Sequence, residues 1–258
     1  MSDSSVRRFY DELAADYHLI FADWDASMAR QATVLDSLLR GHPGPGSRRV
    51  LDCSCGIGTQ AIGLARAGHR VVGGDLSARA AARAATEAAA RGLDLPVAVA
   101  DMRQLPFADA AFDVVLAADN SLPHLLREQD VTAALRSMRR VLGEDGLLVL
   151  TVRDYDEILA VRPSAPPPQI AETPEGRVIT LQLWHWHDDG ERYDLEHLQL
   201  IPAGGTWTVR TRRTTYWALT RARLTRFVGT AGFTDVTWHT PEATGFYQPV
   251  LTARRASR

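Results

Sequence analysis

The chain has little cysteine, no long apolar run and no excess of charge of either sign. Two cysteines among 258 residues cannot build a disulfide framework, and no segment reaches 18 consecutive apolar residues. The 29 basic and 31 acidic residues give a net charge of −2, so no overall basic field attracts nucleic acid or anionic lipid. The first residues, MSDSSVRRFYDEL, contain no apolar stretch typical of a signal peptide. We therefore expect a cytoplasmic protein without a nucleic-acid or membrane partner.

The sequence does contain a regular alternation of short apolar runs and helical patterns between about residues 48 and 153. The segments RVLDCS, HRVVGGDLS, PVAVADM, AFDVVLAAD and GLLVLTVRD are typical of buried strands. Between them lie helical patterns such as 78–91, which Ser77 is placed to cap and Gly92 to end. This alternation predicts an α/β fold with a doubly wound, mostly parallel sheet covered by helices on both faces.

The alternation breaks after Arg153. The stretch RPSAPPPQ at 162–169 excludes a helix or a central strand, because proline lacks an amide donor and fixes φ. Three alternating runs follow, RVITLQLWHWHD, ERYDLEHLQLI and WTVRTRRTTYWAL, and they predict an antiparallel insertion over 161–218. A helix, TRARLTRFVGTAG, and two strands near 233–239 and 246–253 would then return the chain to the main sheet.

The N-terminal segment has a helical pattern over 5–40 and is rich in aromatic side chains, yet no strand pattern gives it a partner in the sheet. We predict that this segment, 1–45, forms a helical lid. The sheet domain would then comprise 46–160 and 219–258, with the insertion on the substrate side.

The loop LDCSCGIGTQ joins the first strand to the first helix of the predicted sheet. Cys53 and Cys55 could be metal ligands, but a structural zinc site needs four ligands and the chain has no second cysteine pair. Cysteines at the end of a strand more often serve as small buried side chains. We therefore predict no metal site at this loop.

The same loop also fits a nucleotide-binding role. Gly56 and Gly58 match the spacing of dinucleotide-binding proteins, and Asp75 follows Gly56 by 19 residues, where ribose hydroxyls are held. An NAD-dependent dehydrogenase is one alternative on this basis. However, Asp52 would repel a pyrophosphate and attract an ammonium or a sulfonium. S-adenosylmethionine has an adenine, a ribose diol and a cationic amino acid but no phosphate, so it matches this loop better.

Five segments in order resemble the motifs of class I S-adenosylmethionine-dependent methyltransferases: LDCSCGIGTQ, GGDLS, ADMRQLPF, FDVVLAADNSLPHLL and GLLVLTVRDYD. More narrowly, YDELAADYHLIFADWD, NSLPHLL and RDYD resemble segments of glycine and glycine/sarcosine N-methyltransferases. The resemblance covers residues 48–160 strongly and the N-terminal aromatic segment less closely, whereas the C-terminal hundred residues match only in layout. It implies the Rossmann-like methyltransferase fold, with a mostly parallel seven-stranded sheet.

The resemblance also implies roles on the cofactor side. The Ser54 carbonyl would accept the methionine ammonium, Asp75 would bind the ribose diol, and Asp101 would accept the adenine amino group. Met102 would pack on the adenine face, while Arg30 and the N-terminal tyrosines would close over the cofactor and bind its carboxylate. The full cofactor-binding set implied in this way is Tyr10, Tyr17, Arg30, Asp52, Ser54, Gly56, Gly58, Asp75, Leu76, Asp101, Met102 and Ala118.

Structural roles remain open for several of these side chains. Asp75 could cap the helix that follows it, although Ser77 is better placed to do so. Met102 could fill a gap in the core. Tyr10 and a second tyrosine seven residues later could form an apolar stripe, and Arg30 could be a solvated helix charge.

On the acceptor side, open α/β sheets bind ligands at the carboxyl ends of their strands, which here carry Asn120, Ser121, His124 and Arg153. Tyr216 resembles a tyrosine that lines the substrate pocket of the relatives. His124 could be a general base or a hydrogen-bonded structural residue. We predict a catalytic set of Arg153, Asn120, Tyr216 and His124.

Arg153 follows a continuously apolar strand, so its guanidinium needs an anionic partner. One hypothesis is a structural ion pair with Asp154 or Asp156. The other is a bidentate grip on the carboxylate of an amino acid-like substrate, which would aim its amine at the methyl group.

We therefore expect an enzyme that transfers a methyl group from S-adenosyl-L-methionine to a small-molecule acceptor, leaving S-adenosyl-L-homocysteine. The most specific hypothesis is N-methylation of an amino acid-like amine of the glycine/sarcosine type that carries a carboxylate. Alternatives are a small-molecule O-methyltransferase, an amino-sugar N-methyltransferase of secondary metabolism, and a cofactor-binding accessory subunit without the chemistry. A homo-oligomer is compatible with this sequence, as is a monomer.

Overall fold

The computed structural model describes residues 3–41 and 46–256. A seven-stranded sheet forms its centre, and a four-stranded antiparallel sheet lies beside it. The helices are α1 (Asp3–Leu13), α2 (Trp24–Gly41), α3 (Thr59–Arg66), α4 (Ala78–Ala90), α5 (Glu128–Val141), α6 (Tyr155–Val161), α7 (Arg221–Thr230) and α8 (Pro241–Thr244). The strands of the central sheet are β1 (Arg49–Asp52), β2 (Arg70–Asp75), β3 (Val97–Val99), β4 (Phe112–Ala117), β5 (Leu142–Thr151), β10 (Phe233–His239) and β11 (Val250–Arg255). Those of the second sheet are β6 (Gln169–Thr173), β7 (Gly176–Trp186), β8 (Arg192–Ala203) and β9 (Thr206–Trp217).

The central sheet has the strand order β10-β11-β5-β4-β1-β2-β3. Strands β1 to β5 pair in parallel, whereas β11 is antiparallel to both β5 and β10. The predicted mostly parallel, seven-stranded sheet is therefore confirmed. Strands β1 and β4 are neighbours in the sheet, but the chain leaves β1 towards β2 on one side and leaves β4 towards β5 on the other, so the two connections run in opposite directions. Such a switch point opens a crevice for ligands.

The helix boundaries follow the residues that were expected to set them. Ser77 accepts a hydrogen bond from the Ala80 amide and caps α4. Gly92, past the end of α4, has a φ of 69°, a value that favours glycine at a helix terminus. Apolar side chains cover both faces of the central sheet and form one cluster on each face. Leu51 packs in the first cluster and Val50 in the second, and both side chains are fully buried.

The second sheet differs from the predicted one by an additional strand. Three antiparallel strands were expected, but β6 pairs with the start of β7 and makes a fourth. The sequence missed β6 because it directly follows the proline run and has only five residues. A second correction concerns the last strand, which spans Val250–Arg255 rather than 246–253. Gly245 ends α8 with a φ of 78°, and the next four residues form a turn before β11 begins.

The N-terminal segment packs against both sheets. Phe9 and Leu13 on α1 are 4% and 3% exposed and join the main apolar cluster. After α1, the Asp16 carboxylate accepts hydrogen bonds from Arg210 and Arg212 on β9, the latter over 2.8 Å. A short 3₁₀ helix, Tyr17–Ile20, then leads to α2. The predicted end of the lid at residue 45 lies outside the described residues.

None of the helices in the described ranges is long and apolar enough to cross a membrane.

Candidate active site

A cleft lies at the carboxyl ends of β1, β2, β3 and β4, where the sequence placed the cofactor. The N-terminal segment closes one side of it. Many of the predicted cofactor residues and one predicted catalytic residue line this cleft. They are Tyr10, Tyr17, Ser54, Gly56, Asp75, Leu76, Asp101, Met102, Ala118 and His124.

The glycines of the loop after β1 are required by its backbone. Gly56 and Gly58 have φ values of 54° and 96°, which side chains other than glycine rarely adopt. A Cβ atom on Gly58 would also lie 2.8 Å from the Ile62 Cδ1 atom, so this position keeps the loop tight against α3. A Cβ on Gly56 would face the Tyr17 ring at 3.3 Å, inside the cleft. The loop therefore presents bare backbone to a ligand.

Asp75 ends β2 and holds this loop from the opposite side. Its Oδ2 accepts the Gly56 amide at 2.8 Å, and its Oδ1 accepts the Ser77 amide at 2.8 Å. Because Ser77 caps α4 itself, the helix-cap alternative for Asp75 is wrong. Burial raises the pKa of Asp75 to about 6, against the effect of the two amide hydrogen bonds. Each oxygen keeps one lone pair for a hydroxyl donor in the cleft.

Asp52 lies beneath the loop and is fully buried. Its Oδ1 accepts a long hydrogen bond, 3.4 Å, from the Ser54 amide, while Oδ2 has no hydrogen-bond partner among the described residues. Burial raises the pKa of Asp52 to about 7. Asp52 is not among the residues that line the cleft, so its predicted attraction of an ammonium group stays a prediction.

The two cysteines of the loop do not converge. Cys53 packs in the apolar cluster on one face of the sheet and Cys55 in the cluster on the other face. Both thiols are buried, and burial raises the pKa of each well above its ordinary value. In the part of the chain that the structure describes, they act as core side chains.

At the far end of the cleft, Asp101 is engaged by a neighbour. The Arg103 guanidinium contacts both carboxylate oxygens, with the Nε atom at 3.0 and 3.1 Å. Burial would raise the pKa of Asp101, but the hydrogen bonds from Arg103 outweigh it and lower that pKa. Met102 beside it is partly buried against the main apolar cluster while also facing the cleft.

Tyr10 and His124 meet across the cleft. The Tyr10 hydroxyl lies 2.7 Å from Nε2 of His124, and Nδ1 lies 3.3 Å from the Thr214 hydroxyl on β9. The imidazole packs at 4.2 Å on the Tyr216 ring. Burial lowers the pKa of His124 to about 3, so the ring is neutral at physiological pH. This geometry fits a hydrogen-bonded structural histidine better than a general base that cycles a proton.

A second, larger cavity of about 870 Å³ adjoins the cleft. It lies between the carboxyl edge of the central sheet, the antiparallel sheet and the N-terminal segment. Arg30 and Arg153 both line this cavity, and Arg30 does not line the cleft. Arg30 is exposed, so its predicted role in closing over the cofactor stays a prediction.

Arg153 is held by the antiparallel sheet. Its Nη1 donates to the Tyr193 hydroxyl at 2.6 Å, and its Nη2 donates to Oε1 of Gln182 at 3.3 Å. The guanidinium carbon lies 4.9 Å from the Trp184 ring centroid and 5.1 Å from that of Tyr216. Aromatic faces and neutral acceptors thus position this cation from several sides.

The ion-pair hypothesis for Arg153 is wrong. Asp154 and Asp156 turn to Arg221 instead, whose guanidinium contacts the first and whose amide donates to the second at 3.0 Å. Among the described residues, no carboxylate forms an ion pair with Arg153. Among the described residues the hydrogen-bond partners of its guanidinium are neutral, and the cation faces the cavity.

The other two predicted catalytic residues, Asn120 and Tyr216, help to position Arg153. Asn120 is 2% exposed, and its Oδ1 accepts the Arg153 amide at 3.1 Å. Its Nδ2 has no hydrogen-bond partner among the described residues. Tyr216 stacks against Tyr193 at a centroid distance of 5.6 Å and is 6% exposed, so it forms the wall behind Arg153.

Sequence reasoning missed Asp119 and the partners of Arg153. Asp119 ends the strand segment LAAD, just as Asp75 ends β2. An acid at the carboxyl end of a strand is typical of a ligand-binding position, so this feature of the sequence could have identified Asp119 as a candidate site residue. Tyr193 and Gln182 gave no such signal, because they lie in alternating strands whose pairing brings them to Arg153 only in the fold.

Comparisons with known proteins agree with this geometry. Residues 50–146 match the family described as "Methyltransferase domain". The chain is 36% identical over 138 residues to a glycine/sarcosine N-methyltransferase of Parasynechococcus marenigrum, covering 53% of this chain and 48% of that protein. It is 33% identical over 138 residues to the enzyme of the same name from Aphanothece halophytica, covering 53% and 51%. The chain thus spans about half the length of these curated relatives.

Solved structures extend the likeness to the whole fold. An S-adenosylmethionine-dependent methyltransferase from Clostridium acetobutylicum matches with a TM-score of 0.73 at 14% identity, over 98% of this chain and 99% of that one. An S-adenosylmethionine-bound amino pentose methyltransferase from Micromonospora echinaspora matches with a TM-score of 0.75 at 19% identity, over 89% and 92%. The resemblance predicted from the motifs is confirmed: residues 50–146 match the methyltransferase domain family, and the fold is that of solved S-adenosylmethionine-dependent methyltransferases.

Proposed function

We propose that the protein transfers the methyl group of S-adenosylmethionine to the nitrogen of a small-molecule amine that also carries a carboxylate. Support for the cofactor comes from the family match and from the cleft. Asp75 offers a carboxylate for a ribose diol, the Gly56 backbone is bare, and Asp52 has a buried oxygen that lacks a partner. These groups fit the hydroxyl and ammonium groups of that molecule.

The observation that carries the acceptor proposal is the Arg153 guanidinium, which lines the large cavity without a carboxylate of its own. A buried guanidinium gains most from an anion that it can bind through two parallel hydrogen bonds. A substrate carboxylate supplies that anion. The named relatives are glycine/sarcosine N-methyltransferases, which is consistent with such a substrate.

Catalysis then depends on alignment more than on acid–base strength. The cofactor supplies an electrophilic methyl group on a sulfonium whose positive charge disappears as the methyl leaves. The chain holds the acceptor in line by its carboxylate, and the packed aromatic rings behind Arg153 keep water from that side. His124, being neutral and hydrogen-bonded to Tyr10, fixes the wall of the cleft.

A second candidate acceptor is a larger amine such as an amino sugar. The cavity of about 870 Å³ is in the range of pockets for drug-sized ligands, roughly 300–1,000 Å³, whereas glycine has only five heavy atoms. A larger amine that carries an acidic group would fill this space and still satisfy Arg153.

The experiment is an acceptor screen with purified protein and S-adenosylmethionine. Glycine, sarcosine and glucosamine are offered, with N-acetylglycine as the control that keeps the carboxylate and blocks the amine. Release of S-adenosylhomocysteine is measured, and the methylated atom is identified by NMR. We expect N-methylation of sarcosine or glycine and none of N-acetylglycine. Preferred methylation of glucosamine, which has no acidic group, would support a larger amine as the acceptor but contradict the binding of a carboxylate by Arg153, and methylation on oxygen would contradict both candidates.

A further inference from the structure

Asp119 occupies the boundary between the two spaces. It directly follows β4 and Ala118, and of the described residues it alone lines both the cofactor cleft and the large cavity. A group that passes from the cofactor to an acceptor must cross this boundary. The side chain of Asp119 is therefore placed where the reacting atoms would meet.

An uncommon backbone conformation places the Asp119 side chain at this boundary. Asp119 and Asn120 have φ values of 55° and 64°, in the left-handed region that non-glycine residues rarely adopt. The Asp119 amide donates to the Thr151 hydroxyl at 2.8 Å, and the Asn120 amide donates to the Thr151 carbonyl at 3.0 Å. Two hydrogen bonds that Thr151 of β5 accepts thus fix the turn, and such enforced conformations concentrate at functional sites.

Among the described residues, hydrogen bonds reach one oxygen of the Asp119 carboxylate. Oδ1 accepts the Tyr247 hydroxyl at 2.5 Å and the Gln248 amide nitrogen at 3.5 Å. Within the described part of the chain, no donor to Oδ2 and no ion pair to Asp119 is present. The two hydrogen bonds to Oδ1 orient the side chain and leave Oδ2 for a ligand.

Resting on the proposed function, we propose that Asp119 binds the acceptor amine through Oδ2 and takes its proton. The acceptor ammonium transfers one proton to Oδ2, which frees the nitrogen lone pair. That lone pair forms the bond to the methyl carbon while the carbon–sulfur bond breaks and its electron pair stays on sulfur. The methylated ammonium then leaves, and Asp119 returns the proton to water.

The surroundings of Asp119 favour this role. Burial raises its pKa, while the hydrogen bonds from Tyr247 and Gln248 and the charge of Arg153 lower it in part. Because the pKa of Asp119 is raised, it lies closer to the pKa of an amine, and the transfer of a proton from the amine to Asp119 is less unfavourable. The other titratable groups that face it are phenols: Tyr10, Tyr17 and Tyr216, whose pKa values burial raises, and Tyr247, which donates its hydroxyl hydrogen to Oδ1.

Sinefungin tests this proposal without knowledge of the acceptor. It is an adenosyl amino acid with an amine in place of the sulfonium methyl, so its ammonium would reach the boundary between cleft and cavity. Titration calorimetry gives the affinities of sinefungin and S-adenosylhomocysteine for the wild type and for Asp119→Asn. Asparagine tolerates the left-handed backbone and keeps an oxygen for Tyr247. Glu157→Gln, which removes a carboxylate from the cavity alone, is the matched control.

We expect Asp119→Asn to lower the preference for sinefungin over S-adenosylhomocysteine by about tenfold or more, the scale of one charge-assisted hydrogen bond. Glu157→Gln should keep the preference. A preference unchanged in Asp119→Asn would overturn the role of Asp119 and leave the proposed function intact. Failure of the wild type to bind S-adenosylhomocysteine at all would instead overturn the proposed function and this inference with it.

Discussion

Nη1 of Arg153 donates a hydrogen bond to the Tyr193 hydroxyl over 2.6 Å, and this contact joins the central sheet to the antiparallel one. Tyr193 is fully buried, and its hydroxyl lies 3.2 Å from that of Tyr155. The guanidinium is thereby fixed in direction and cannot swing away to a surface acid. A fixed cation beside a cavity is suited to select a carboxylate.

We predict that Arg153→Lys weakens use of a carboxylated acceptor without loss of cofactor binding. Lysine keeps the charge but loses the planar fork, so one charge-assisted contact is lost. With sarcosine, kcat/KM should fall about 100-fold, whereas the Kd for S-adenosylhomocysteine should change by less than about threefold. Steady-state kinetics and calorimetry measure the two values.

Sarcosine methyl ester and Arg221→Lys are the controls for this prediction. The ester lacks the anion, so the wild type should disfavour it, and Arg153→Lys, which keeps the charge but not the fork, should show a smaller preference for the acid. Arg221 lines the same cavity but is paired with Asp154, so its lysine variant should keep the preference. Full activity of Arg153→Lys on sarcosine would show that the guanidinium does not hold the acceptor.

We predict that the N-terminal segment opens to admit the cofactor. The cleft holds only about 90 Å³, well below the roughly 300 Å³ of pockets that enclose drug-sized ligands, and Val6, Tyr10 and Tyr17 form one of its walls. Hydrogen exchange of residues 3–20 should therefore slow when S-adenosylhomocysteine binds. Helix α7, away from the cleft, is the internal control.

The ion pairs of Asp16 with Arg210 and Arg212 would be the latch of this lid. Asp16→Asn removes the charge that holds two arginines, so exchange of residues 3–20 should rise in the unliganded protein. Equal exchange in the variant and the wild type, with and without ligand, would mean that the segment is a fixed part of the fold.

We predict that the unliganded protein loses stability as the pH rises from 5 to 8. Burial raises the pKa of Asp52 to about 7 in the folded protein, whereas an unfolded aspartate titrates near ~3.9. A raised pKa means that the folded state binds the proton more tightly. The stabilisation is therefore complete below about pH 4 and is lost as the pH passes through 7, by at most ~4 kcal/mol.

Urea unfolding of the wild type and of Asp52→Asn across this range measures the effect. The variant should lose much of the pH dependence and keep the smaller part that Asp75, with a pKa of about 6, contributes in the same direction. An identical slope in both proteins would show that Asp52 is not the titrating group.

The sequence was sufficient for the parts of the molecule that local pattern determines. Apolar strands alternating with capped helices predicted a doubly wound, mostly parallel sheet, and the acids at the end of β2 and just after β3 predicted one end of the cleft. Each of these depends on neighbours close in the chain.

Contacts between distant segments could not be predicted in this way. Arg153 and Tyr193 are 40 residues apart, and Arg221 takes Asp154 across 67 residues, so the chain neighbours of Arg153 were the wrong partners to expect. The left-handed turn at Asp119 depends on Thr151 of a different strand. Such sites arise from tertiary packing, which no local pattern records.

The most direct test of the account is the affinity of the cleft for S-adenosylhomocysteine, because the proposed function depends on the predicted binding of its ribose by Asp75. Asp75→Ala removes hydrogen bonds to a charged group, so binding should weaken by about 1.5–3 kcal/mol, tenfold or more. Asp94→Ala, an exposed aspartate at the other end of β3, should bind as the wild type does. Calorimetric titration that shows this difference, with no tight binding of NAD, is the predicted result; tight NAD binding without binding of S-adenosylhomocysteine would contradict the account.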